Sequence, residues 1–145
     1  MSLLKDVAEN IILNGKLDIN KFGIFQEIKY EDWLYYTPHD KALTTIRIYP
    51  SKDICFSGGN FNIKEIESIL GKYTIGYNWR DDYTRFTFNE IQTNYVESIY
   101  FEKENKVEYD ETSNQFISKD DYGKQTIIPY NELTFNSFTI KYKSV

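Results

Sequence analysis

Adjacent carboxylates recur along this chain: Asp81-Asp82, Asp110-Glu111 and Asp120-Asp121, with Glu90 standing apart. Two carboxyls facing one sugar could run glycoside hydrolysis as acid and base, and clustered carboxylate oxygens suit Ca²⁺. The pattern supports neither chemistry. Neither Asp pair carries the alternating D-x-D-x-D-G order of a calcium loop, so turn and rim charge is their ordinary role. His39 is the single histidine, and any Ser-His-Asp or Cys-His arrangement would have to use it. Asp40 stands beside it, but neighbours on a turn do not aim at one substrate atom, so a solvated turn is expected. Cys55 lies in an apolar Ile-Cys-Phe run, where thiols are inert core. Ser57-Gly58-Gly59-Asn60 leads into a helix whose free N–H groups could hold an anion. The lysine and spacing of a P-loop are missing, and a turn with an N-cap is expected there. The reading is of a chain without a catalytic set, a cofactor or a metal.

What remains for the acids is recognition. They fall unevenly: Glu102, Glu104, Glu108, Asp110, Glu111, Asp120 and Asp121 stand against Lys103, Lys106 and Lys119. That segment alone carries −4 of a chain total of −5. Tyr95, Tyr100, Tyr109 and Tyr122 lie among or near them. Acidic groups steer a basic partner and aromatic anchors supply affinity. The candidate partner-binding residues are therefore Asp81, Asp82 and Tyr83 in one turn, and Glu108, Tyr109, Asp110, Glu111, Asp120, Asp121 and Tyr122 in the 102–122 segment. Together they should form one acidic, tyrosine-rich face for a protein with a basic surface. Charge reversal at Asp110 and Glu111 should slow association more than dissociation. The alternative is a small-ligand or carbohydrate-binding domain with Trp33, Trp79 and tyrosines in a cleft.

The elements that must position these groups follow from period. Residues 2–14 put Leu3, Leu4, Val7, Ile11 and Ile12 on one helical face, with Gly15 as a stop. Ile24 to Tyr30, Trp33 to Thr37 and Ala42 to Tyr49 read as strands, with Pro38-His39-Asp40-Lys41 as a turn. Asp53 to Phe56 reads as a short strand. A helix over about 62–70 follows, with Asn60 or Asn62 as N-cap, Ile63, Ile66, Ile69 and Leu70 on one face and Gly71 as C-cap. The period then changes to two, and residues 73–89 read as a half-buried hairpin around Arg80-Asp81-Asp82 whose aromatic side should pack on that helix. Tyr95 to Glu102, Lys106 to Tyr109, Phe116-Ile117, Thr126 to Ile128 and Leu133 to Tyr142 complete the strands. Apolar positions change parity between Phe135 and Phe138, which predicts a bulge. The order predicts an α+β fold: a mainly antiparallel twisted sheet of about six to eight strands, an N-terminal helix and a short second one.

At 145 residues, a single domain spanning 1–145 is expected. With 41% hydrophobic and 27% charged residues it should fold around a packed core. The 17% aromatic content fits a β-rich chain. A pI near 4.9 argues against nucleic acid, which requires a basic stripe. The lone cysteine rules out an intrachain disulfide. No run reaches the apolar length of a membrane span, and Asp6 and Glu9 interrupt any signal-peptide core, so a cytoplasmic location is expected.

A helix ending Ile69-Leu70-Gly71-Lys72, a hairpin containing Trp79-Arg80-Asp81-Asp82-Tyr83-Thr84 and a strand over Tyr95 to Glu102 together resemble small bacterial α+β proteins, some of them immunity proteins of polymorphic toxin systems. The resemblance covers about residues 57–103 and transfers no individual residue role. It implies a cytoplasmic protein that binds and blocks a toxin domain.

Overall fold

The computed structural model describes residues 3–18, 25–30, 33–38, 45–48 and 53–143. His39, Asp40 and the turn expected around them lie outside the described residues. The amphipathic N-terminal run forms α1 (Leu3–Asn14), which buries Leu4, Val7, Ala8 and Ile11. Four strands follow: β1 (Phe25–Tyr30), β2 (Trp33–Pro38), β3 (Thr45–Ile48) and β4 (Ile54–Asn62). Next comes α2 (Ile63–Leu70), then β5 (Tyr73–Asn78), β6 (Tyr83–Phe88) and β7 (Val96–Glu104). Three short strands, β8 (Lys106–Asp110), β9 (Gln115–Lys119) and β10 (Gln125–Pro129), precede a 3₁₀ turn at Tyr130–Glu132 and the last strand, β11 (Thr134–Tyr142). The class is α+β, as the order of elements predicts.

Eight strands make one antiparallel sheet in the order β1-β2-β3-β4-β11-β7-β6-β5. The C-terminal strand thus joins two meanders, β1–β4 and β5–β7, by pairing with β4 on one side and β7 on the other. A separate three-stranded sheet, β10-β9-β8, accompanies it. Alternation sorts the main sheet's faces: Thr84, Phe86 and Phe88 are buried while Tyr83, Arg85 and Thr87 are only half-buried. The core that results is a run of phenylalanines. Phe138 stacks on Phe56 at 4.8 Å between centroids, Phe86 meets Phe135 at 5.1 Å, and Phe116 brings the small sheet against Phe86 at 5.9 Å. Burying each such ring stabilises the fold by about 1.5–3 kcal/mol relative to leaving it in water.

Three expectations need correction. Ser57-Gly58-Gly59-Asn60 is not a helix-leading turn; it continues β4. Phe61 pairs with Phe135 and Ser57 with Ser137, so three residues of β4 stand opposite Asn136 alone. The glycines serve that bulge, and Gly58 takes φ +86°, which a side chain would resist. The helix cap is Asn62, whose Oδ1 accepts the Lys64 N–H at 3.0 Å, and Gly71 ends the helix at φ +87°. Second, the hairpin's aromatic side packs on β7, β9 and β11 rather than chiefly on α2, because Phe88 meets Phe101 at 5.6 Å and Phe86 meets Phe116 and Phe135. Third, β5 is the last strand of the sheet, so residues 74–77 are exposed, not half-buried. The parity change in β11 does mark a bulge, between Phe135 and Ser137.

Candidate binding surface

The β5–β6 turn is built by its own side chains. Asn78 Oδ1 accepts the N–H groups of Arg80 at 3.0 Å and Asp81 at 3.3 Å. Asp82 then adopts φ +50°, a conformation that aspartate tolerates better than most residues. The turn is stapled to the β7–β8 turn, because the Asn105 N–H donates to the Asp82 carbonyl at 2.9 Å. Beneath it the fully buried Thr84 hydroxyl donates to the Asn105 carbonyl and accepts the Val107 N–H, both at 2.8 Å. That one hydroxyl locks the entry of the small sheet onto β6.

The β9–β10 turn closes in a similar way. Asp120 Oδ1 accepts the N–H of Tyr122 at 3.0 Å and of Lys124 at 2.8 Å. This turn lies at the same end of the small sheet as the Asp82 turn, because Lys106 pairs with Lys119 and Asn105 bonds to Asp82. The Asp82 carboxylate, aided by Asp120, pushes the Asp121 carboxyl above its ordinary 3.8. Tyr77 donates its hydroxyl to Asp82 Oδ1 at 2.7 Å, a bond that with burial and the nearby carboxylates raises the phenol's own pKa. Tyr122 is 95% exposed beside this pair and Trp79 is 74% exposed on the other side of the turn.

Cations border the tip without neutralising it. Arg80 lies over the Trp79 ring at 5.6 Å. Lys106 sits 5.6 Å from the Tyr77 ring and pairs with Glu108 at 3.0 Å, which holds that carboxyl below its usual range. Among the described residues no cation stands within ion-pair distance of Asp82 or Asp121. Two carboxylates at one end of the small sheet can jointly accept hydrogen bonds from a guanidinium or ammonium group. Asp121 is exposed and Asp82 half-buried, each in a hairpin turn. Among the described residues no three carboxylate, cysteine or histidine side chains gather into a metal-ligating group.

The single acidic face expected from the sequence is divided. The Asp81-Asp82 turn and the Asp120-Asp121-Tyr122 turn lie at one end of the small sheet. Lys106 pairs with Lys119 and Asp110 with Gln115, so Asp110 and Glu111 belong to the other end. There Asp110 is a turn former, accepting the Thr112 N–H at 3.1 Å and the Ser113 hydroxyl at 2.8 Å. Tyr109 donates to Asn114 Oδ1 at 2.7 Å and packs on Phe116 and Tyr130. Tyr83 points to the opposite face of the main sheet, where its hydroxyl accepts from Arg85 at 3.2 Å. Arg85 lies 4.0 Å from the centroid of the Tyr100 ring and pairs with Glu102 at 3.4 Å. Sequence reasoning passed over Tyr77 and Lys106 at the tip; Tyr77 was visible only as one member of a strand alternation. Cys55 is buried in β4 as expected.

The chain matches no known protein family, no curated protein and no solved structure. Among the described residues no helix is long and apolar enough to cross a membrane.

Proposed function

We propose that this chain is a non-enzymatic protein-binding module of immunity type, one that neutralises a toxin domain in the cytoplasm by covering a basic surface. The reading rests on one observation: the Asn105–Asp82 bond and the Lys106–Lys119 register bring the Asp82 turn and the Asp121 turn to one end of the small sheet, where no described cation stands within ion-pair distance of either carboxylate. A lysine or arginine of a partner relieves the repulsion between these carboxylates, so the partner gains more than it would from two separate surface acids. Tyr122 is the exposed ring beside the pair that can anchor the contact. The test is to look for a toxin gene adjoining this one and to measure binding to its basic domain by surface plasmon resonance, with the wild type and with a variant carrying Asp82→Asn and Asp121→Asn. Tight wild-type binding that the double substitution weakens about tenfold or more supports the reading. Binding that is indifferent to both substitutions removes the tip from the interface, and no binding removes the immunity role.

A further inference from the structure

Four strand edges are open among the described residues: β1 and β5 on the main sheet, β8 and β10 on the small one. An open edge presents unpaired N–H and C=O groups to any other strand, and proteins guard such edges with charge, proline or bulges. β1 carries Glu27 and Lys29, β8 carries Lys106, Glu108 and Asp110, and β10 ends in Pro129. β5, Tyr-Thr-Ile-Gly-Tyr-Asn, has no charge, no proline and no register shift against β6. Its apolar side chains are also the displayed ones: Ile75 is 40% exposed and Tyr77 39%, with Trp79 at 74% just beyond.

We propose that β5 is a self-association edge, pairing antiparallel with β5 of a second copy of this chain about a two-fold axis at Gly76. Faces of a continued sheet must match, so odd-numbered residues meet odd and even meet even. Centred on Gly76, Ile75 stands opposite the second copy's Tyr77 and Tyr73 opposite its Trp79, while Thr74 meets Asn78 on the other face. Apolar meets apolar and polar meets polar in every pair. Electrostatics favour β5 over the charged edges β1 and β8. Each copy carries −5, and an uncharged edge is where two such molecules approach at least cost. At Gly76 a Cβ would meet nothing within 4 Å, so a side chain can be placed at the axis without a clash inside the copy that carries it. The inference does not use the Asp82–Asp121 pair.

The experiment uses the full chain. Sedimentation equilibrium over micromolar to high micromolar concentrations should give a reversible dimer at twice 17.3 kDa. Ile75→Lys should weaken it about tenfold or more, because the axis doubles each substitution. Gly76→Cys tests register without touching the core. Its two thiols face each other at the axis and should form a covalent dimer on air oxidation, while buried Cys55 stays reduced. Thr74→Cys should not cross-link, since its two copies lie about 13 Å apart along the strands. A wild-type monomer throughout, or a dimer that cross-links no better through Gly76→Cys than through Thr74→Cys, overturns the proposal. If Ile75→Lys fails to fold, the cysteine pair still decides.

Discussion

Thr84 shows how one side chain can fix two layers. Its hydroxyl has no exposure and serves two backbone groups of the β7–β8 connection. Thr84→Val keeps the shape but leaves the Val107 N–H and the Asn105 carbonyl unsatisfied. It should cost about 1–3 kcal/mol in urea unfolding, with amide exchange of β8 accelerating before that of β6. Asp121 carries a prediction of opposite character. Its carboxyl pKa is raised in the folded protein by Asp82, so the folded state holds that proton more tightly than the unfolded chain does. Stability therefore falls as pH rises from the ordinary 3.8 through the raised value. Asp121→Asn should flatten that part of the stability profile and leave the protein no less stable at neutral pH. These residues were legible as types, since period two put Thr84 on the inner face and the paired acids stood out. Their partners were not legible, because the Asp82 and Asp121 turns come to one end of the small sheet only once two hairpins 39 positions apart have packed.

At the scale of elements, the structure depends on β11 more than on any other strand. Among the described strands it alone pairs with both the β1–β4 and the β5–β7 meander. Phe138 is 1% exposed and touches Phe56 and Phe61 of β4 and Phe101 of β7, so its ring spans the junction. Phe138→Ala should cost about 3–5 kcal/mol, read as a shift in the denaturation midpoint. The last strand and its bulge could be read from the changed parity between Phe135 and Phe138. Its place between β4 and β7 could not, because strand order is set by long-range pairing that alternation does not encode. The companion bulge was misread for a related reason. Ser57-Gly58-Gly59-Asn60 has the composition of a turn, and only the pairing of Phe61 with Phe135 and of Ser57 with Ser137 shows that the glycines relieve a strand. Residues 74–77 failed differently: period two identified the strand, but exposure depends on whether a neighbour lies beyond it.

For the whole molecule, net charge is a poor guide to where a basic partner docks. The chain carries −5, yet the acids of the 102–122 segment are spread over both ends of the small sheet. At one end Asp110 is engaged by its own turn. At the other lie the Asp82 and Asp121 turns. Long-range attraction is shared by all these charges and screened over about 8 Å at physiological salt. Short-range selection belongs to the pair that a cation can bridge. Charge reversal at Asp110 and Glu111 should therefore slow association modestly and lose its effect as salt rises. Asp82→Asn with Asp121→Asn should instead speed dissociation, and the loss should persist at high salt. Stopped-flow association and dissociation rates across a salt series separate the two patterns. If both pairs of substitutions change only the association rate, the tip acts by steering alone and the bridged-cation contact is wrong.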